Sequence, residues 1–139
     1  MPRVRLAEND RALIVRYLGG NPDVLFRADA PTVRRDTAVA ALYGLWCSSC
    51  HGATGKGDGP NAKHLPVPPA RHADAKTTAQ RSDDALFDTI VGGGGIMNRS
   101  PRMPAFGESL SVSEVRSLVR YIRVLCQCEG PAWSRGSVK

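Results

Sequence analysis

The sequence predicts an all-α fold, and three observations carry that prediction. No stretch alternates apolar and polar residues in the way a half-buried strand requires. Three segments instead space their apolar side chains three and four apart, within residues 39–46, 86–91 and 112–125. The strongest of them opens with an S-x-x-E capping box at Ser111 and Glu114.

The first helix is expected in "PTVRRDTAVAALYGLWCSSCH", opening near Asp36 and carrying a stripe of Val39, Leu42, Tyr43 and Trp46. That stripe delivers Cys47, Cys50 and His51 to the helix C-terminal end. Residues 52–80 are rich in Gly and Pro, as in "GKGDGP" and "PVPPA", and have neither helical nor strand period. A loop this long is uncommon in a compact domain unless it wraps something. Ser82 then caps a second helix, with Asp83 and Asp84 at its positive end and Leu86, Phe87, Ile90 and Val91 on one face, ended by the glycines at 92–95. Those glycines follow a helix and lack G-x-G-x-x-G or Walker spacing, so they are not a phosphate loop. "NRSPRMPAFGES" is read as loop, including the formal glycosylation match at Asn98-Arg99-Ser100. In the last helix, "SVSEVRSLVRYIRVL", Val112, Val115, Leu118, Val119, Ile122 and Leu125 share a face.

Composition narrows the function classes. The chain has 139 residues, enough for one domain and short enough for a bound cofactor to supply part of its core. No apolar run approaches the roughly 20 residues that span a bilayer, and "MPRVRLAENDR" has no signal-peptide apolar region. A net charge of +6 favours acidic partners. The basic residues are scattered and lack interleaved aromatics, which argues against nucleic acid and for an acidic protein surface.

The chemistry is concentrated in "WCSSCHGATGKGDGP". C-x-x-C-H is the attachment motif of c-type haem: two thiols add to the porphyrin vinyl groups and the next residue coordinates iron. One helical turn keeps both sulfurs on one edge of the ring while the histidine turns beneath the metal. A zinc site needs about four ligands, usually a second paired set, and Cys126 and Cys128, one residue apart beyond a helix, do not make that pair. They could be a disulfide, a bond to a partner or free thiols. For the second axial position the candidates are Met97, Met103, His64 and His72. Met103 stands in "SPRMPAFG", where Pro104 stiffens the loop presenting its sulfur, and Met with His is the ligand pair that raises potential in electron-transfer haem proteins. His64 and His72 read as surface histidines of a polar loop, and Trp46 as core against the haem edge.

"LYGLWCSSCHGATGKGDGP" followed by "RMPAFGESLSVSEVRSLVRYI" resembles class I cytochromes c of the bacterial monohaem type, over about residues 36–125. The resemblance implies helices and loops wrapped around one covalently attached haem c and its iron. It implies thioether bonds at Cys47 and Cys50, His51 as proximal ligand, Met103 as distal ligand, and the Pro60 carbonyl accepting the hydrogen bond of the ligand histidine. Tyr43 and Tyr121 match the aromatic positions where the terminal helices cross, while Val39 stands where the family often has a small residue. The implied role is an electron carrier, not an enzyme, serving redox protein partners with acidic docking surfaces and no nucleic acid. The alternatives are a haem c subunit or excised domain of a larger dehydrogenase or oxidase, or an open-site haem peroxidase or sensor. Haem c attachment in bacteria occurs outside the cytoplasm, so a periplasmic location with a removed leader peptide is implied.

The expected organisation is an N-terminal extension and linker at 1–31, the haem domain at 32–128 and a tail at 129–139. Residues 6–18 align without a gap on 110–122, with identities at Leu6/Leu110, Val15/Val119, Arg16/Arg120 and Tyr17/Tyr121. Short amphipathic helices resemble one another by coincidence, but the pattern also suits the end of a preceding haem domain, with "GGNPDVLFRADAP" as linker.

Overall fold

The computed structural model describes residues 32–135, and all regular structure among them is helical. The expected N-terminal helix, the linker and residues 136–139 lie outside the described residues. Helix α1 spans Thr32–Trp46 and begins ahead of the expected Asp36. Val33, Arg34 and Arg35 are all tolerated in a helix, so Asp36 is an interior residue and not a cap. Near the other end Tyr43 is buried and meets Tyr121 at a ring-centroid distance of 5.1 Å. The chain breaks step at Cys47 and continues as the single turn α2, Ser48–His51.

Residues 52–80 are not wholly irregular. They hold a 3₁₀ turn, Ala62–His64, and a one-turn helix α3, Ala75–Thr78, whose cap Asp74 accepts the Lys76 N–H at 3.0 Å. Helix α4, Asp83–Gly92, opens as its sequence predicts, with Ser82 Oγ accepting the Ala85 N–H at 3.0 Å. Helix α5, Val112–Cys126, completes its capping box: Ser111 Oγ accepts the Glu114 N–H at 3.1 Å and Glu114 Oε2 accepts the Ser111 N–H at 2.8 Å. It ends at Gln127 in the left-handed conformation, and Cys126 and Cys128 on either side of it are disulfide-bonded to each other.

The core is the meeting of α1, α4, α5 and the 103–110 segment: Tyr43, Leu86, Ile90, Phe106, Leu110, Val115, Leu118, Val119 and Ile122. Burying each aliphatic side chain of the α5 stripe contributes about 1.5–3 kcal/mol, which fixes α5 against α4. Val112, expected on that stripe, is exposed, so the buried face begins at Val115. Among the described residues no helix is long and apolar enough to cross a membrane.

The glycines after α4 allow a close backbone approach. Phe106 and Gly107 donate to the carbonyls of Ile90 and Val91 at 2.9 and 3.0 Å, so the returning chain satisfies the last groups of α4. Gly93 has φ +80°, and a Cβ there would sit 2.9 Å from the Met103 carbonyl. A Cβ on Gly94 would strike the Ser100 carbonyl and come within 3.1 Å of Met103 Cβ. Gly94→Ala is therefore expected to destabilise the protein by about 1–3 kcal/mol by displacing the loop backbone. Gly95→Ala, whose Cβ meets nothing nearer than Pro101 at 3.8 Å, should fall below that range. Parallel thermal melts of the two variants check this; equal midpoints would show that the loop yields freely.

Candidate functional site

The second pass of the loop over α2 sets the histidine. Gly57, Gly59 and Asn61 donate backbone N–H groups to the carbonyls of His51, Cys50 and Ser49 at 2.7, 3.2 and 2.8 Å, which caps the end of α2. Ala73 then donates to Gly55 at 2.8 Å, bringing the 70–73 segment alongside. His51 Nδ1 hydrogen-bonds the Ala70 carbonyl at 2.8 Å. A carbonyl only accepts, so Nδ1 carries the proton and Nε2 presents a lone pair. Burial is the main cause that lowers the His51 pKa, keeping the ring neutral, which is the form that ligates a metal.

Pro60 does not have the role the resemblance implies. It is exposed and lies in the turn that caps α2, between Gly59 and Asn61, so its carbonyl is replaced as partner of His51 by that of Ala70. His72 also departs from expectation. It is not a surface histidine but is half-buried and stacked on His51, with ring centroids 4.1 Å apart and planes 16° from parallel. Burial above all, and then the neighbouring His51, push its pKa down to about 3. The Tyr43 hydroxyl, kept protonated by burial, is hydrogen-bonded to His72 Nδ1 at 2.9 Å. His64 is exposed as expected. Neither the Ala70 carbonyl nor His72 has a signature in the sequence, because both are placed by the Gly55–Ala73 pairing and not by any local pattern.

Cys47, Cys50 and His51, from the α1–α2 junction, and Met103, from the loop after α4, line one cavity of about 400 Å³. Its walls include the core side chains Tyr43, Leu86, Ile90, Phe106, Leu118 and Ile122. Neither cysteine of the motif is in a disulfide, which leaves both sulfurs for attachment, and burial pushes the Cys47 thiol up to about 11. Met97 is not among the lining residues. Trp46 lines the cavity and packs edge-on against Phe106 at 5.8 Å, yet stays 41% exposed, so it is a rim residue more than core. The donor set of two thiols, one neutral imidazole and one thioether on an apolar cavity fits haem c.

The family model described as "Cytochrome C oxidase, cbb3-type, subunit III" matches residues 34–122. The chain belongs to this cytochrome c family. Its fold is the all-α class I cytochrome c fold, and its cofactor is covalently bound haem c. It is similar to the KustC0563 c-type cytochrome, at 29% identity and TM-score 0.51, over 62% of this chain and 94% of that one. It is also similar to a chain of the Kuenenia stuttgartiensis reducing HAO-like protein complex Kustc0457/Kustc0458, at 26% identity and TM-score 0.56, over 90% of this chain and 64% of that one. No curated protein sequence matches the chain.

Proposed function

We propose that this cytochrome c domain carries single electrons between redox proteins, with His51 and Met103 as the axial pair and Cys47 and Cys50 as the thioether positions. The observation that carries the proposal is that these four side chains line one cavity. Haem c supplies reversible one-electron chemistry between ferric and ferrous iron. The chain's own residues supply the rest: the Ala70 carbonyl orients His51, the 94–106 loop holds Met103, and the apolar walls exclude water. We place the cofactor domain at 32–128 and the protein in the periplasm, where covalent haem attachment proceeds. The decisive experiment is an optical spectrum of the oxidised and reduced protein with and without carbon monoxide. Six-coordinate spectra that ignore carbon monoxide are expected; carbon monoxide binding by the reduced protein would favour the open-site peroxidase or sensor.

A second reading, a haem c subunit or domain of a larger redox assembly, is favoured by the likeness to a chain of the HAO-like complex. Both readings need a docked protein, and the net +6 favours an acidic one. Electron-transfer rates with such a partner should fall as salt rises, since the Debye length shrinks from about 10 Å at 0.1 M to about 3 Å at 1 M. A rate that is flat or rising with salt in stopped-flow measurements would point to apolar docking.

A further inference from the structure

The Cys126–Cys128 pair does not line the haem cavity, and it is poorly placed to hold the fold together. Its cysteines stand two positions apart at the end of α5, so the bond ties no distant segments. A disulfide stabilises mainly by restricting the unfolded chain, and that effect is smallest for the shortest loop. The surroundings instead treat the two sulfurs differently. Cys126 is buried, and its Sγ lies 3.4 Å from the Arg123 carbonyl oxygen and 3.6 Å from that of Cys128. Carbonyl oxygens accept from an S–H and repel an anion, so this sulfur, once reduced, is held as a thiol. Cys128 is only half-buried, and its Sγ lies 3.9 Å from Nη1 of the Arg123 guanidinium. A cation beside a sulfur favours the thiolate, the form that exchanges with disulfides.

That cation is fixed by the contacts of its own side chain. Nε donates to Asp83 Oδ1 at 2.8 Å, Nη1 to the Thr78 carbonyl at 3.0 Å, and Nη2 to the Arg81 carbonyl. The Asp83 carboxylate meets the Nε side and is 67% exposed, so water screens it and the Nη1 side keeps its positive character toward Cys128. The carboxylate next along the chain, Glu129, is exposed and paired with Arg135. Half-burial leaves Cys128 open to the sulfur of another molecule, whereas Cys126 is closed to it.

We propose that Cys126 and Cys128 form a thiol–disulfide exchange site that accepts two electrons from a protein dithiol, with Cys128 as the exchanging sulfur and Cys126 as the resolving one. A thiolate of the dithiol attacks Cys128 Sγ, the bond to Cys126 breaks, and Cys126 takes up the electron pair and a proton, its S–H directed to the Arg123 carbonyl. The second thiol of the partner loses its proton and attacks its own sulfur in the mixed disulfide. Cys128 then leaves as a thiolate beside Arg123, and the partner is released as a disulfide. The partner loses two electrons and two protons; Cys126 holds one proton and the solvent takes the other. This chemistry is independent of the haem reading, since neither sulfur belongs to the cavity.

The test treats the folded, full-length protein with dithiothreitol at neutral pH, without denaturant, then alkylates the thiols and locates the labels by peptide mass spectrometry. Both Cys126 and Cys128 should gain a label, and prior addition of oxidised dithiothreitol in excess should restore the unlabelled pair. A pair that opens only in denaturant would be an inert link and would overturn the proposal. The roles are read from single variants mixed with oxidised glutathione. Cys128 in Cys126→Ser should form the glutathione adduct at least about tenfold faster than Cys126 in Cys128→Ser, because burial and the carbonyls disfavour the Cys126 thiolate. Equal rates, or the reverse order, would overturn the assignment of Cys128. Adding Arg123→Gln to Cys126→Ser should slow the adduct about threefold or more, since lost thiolate outweighs the gain in nucleophilicity. An unchanged rate would remove Arg123 from the site. Should that double variant fail to fold, Arg123→Lys, which keeps a cation near the sulfur, replaces it and should hold the rate within about twofold of Cys126→Ser; a larger fall would count against activation by charge.

Discussion

Replacing Met103 by alanine is expected to abolish the sulfur-to-iron charge-transfer band of the ferric protein and to lower its reduction potential. Met97→Ala should leave both unchanged. Met103 lines the cavity with His51, whereas Met97 does not. Its loop is held from both sides, by the Gly94 N–H on the Met103 carbonyl at 3.1 Å and by the Met103 N–H on the Ser100 carbonyl at 3.3 Å. A thioether stabilises ferrous over ferric iron, so its loss shifts the potential downward. The expected shift is on the order of a hundred millivolts or more, within the span of about 0.8 V that axial ligation covers. Spectra and potentials of the two variants decide the matter: if Met97→Ala loses the band and Met103→Ala keeps it, the distal assignment is wrong.

The parts of this protein that were legible in its sequence are those determined within a few residues. Ser82 and Ser111 announce α4 and α5 because capping is a contact between a side chain and a backbone group two or three positions away. The C-x-x-C-H motif is legible for the same reason, as one turn of chain sets its geometry. Asp74 caps α3 through the same kind of contact, its Oδ1 accepting the Lys76 N–H, but a single turn carries no helical period, and the sequence reading has no helix there. What could not be read was decided at long range. Pro60 and Ala70 both follow His51 in the same glycine- and proline-rich loop, and only the pairing of Ala73 with Gly55 brings the Ala70 carbonyl to the ring. His72 sits in an unremarkable polar stretch, and its stacking on His51 follows from the same pairing. Arg81 and Arg99 read as two of many scattered cations until the fold turns both to one cavity.

Arg123 is a further residue whose weight the helical pattern conceals, and Arg123→Ala is expected to be the most destabilising single change outside the hydrophobic core. It projects from α5, and its side chain is 13% exposed. Nε donates to Asp83 Oδ1 at 2.8 Å, Nη1 to the Thr78 carbonyl at 3.0 Å, and Nη2 to the Arg81 carbonyl. One guanidinium thus joins the end of α3, the entry to α4 and the last turns of α5. Its removal takes its guanidinium donor from the Arg81 carbonyl and leaves the carbonyl of buried Thr78 with the Arg81 N–H alone, at 3.2 Å. Hydrogen bonds from a charged donor are worth about 1.5–3 kcal/mol each, and lost pairs share part of that through relaxation, so the expected loss is about 2–4 kcal/mol. In a domain of this size that is a fall in melting temperature on the order of 10 °C or more. The Asp83 contact is the minor part, because the carboxylate is 67% exposed; Asp83→Asn should lower stability by less than about 1 kcal/mol. Arg123→Lys, which supplies one ammonium in place of a fork, should recover only a fraction of the loss. Thermal melts of the haem-loaded variants give the ranking. Should Arg123→Ala melt with the parent, the stripe of Val115, Leu118, Val119 and Ile122 would be sufficient to fix α5, and the guanidinium's contacts would add nothing to stability.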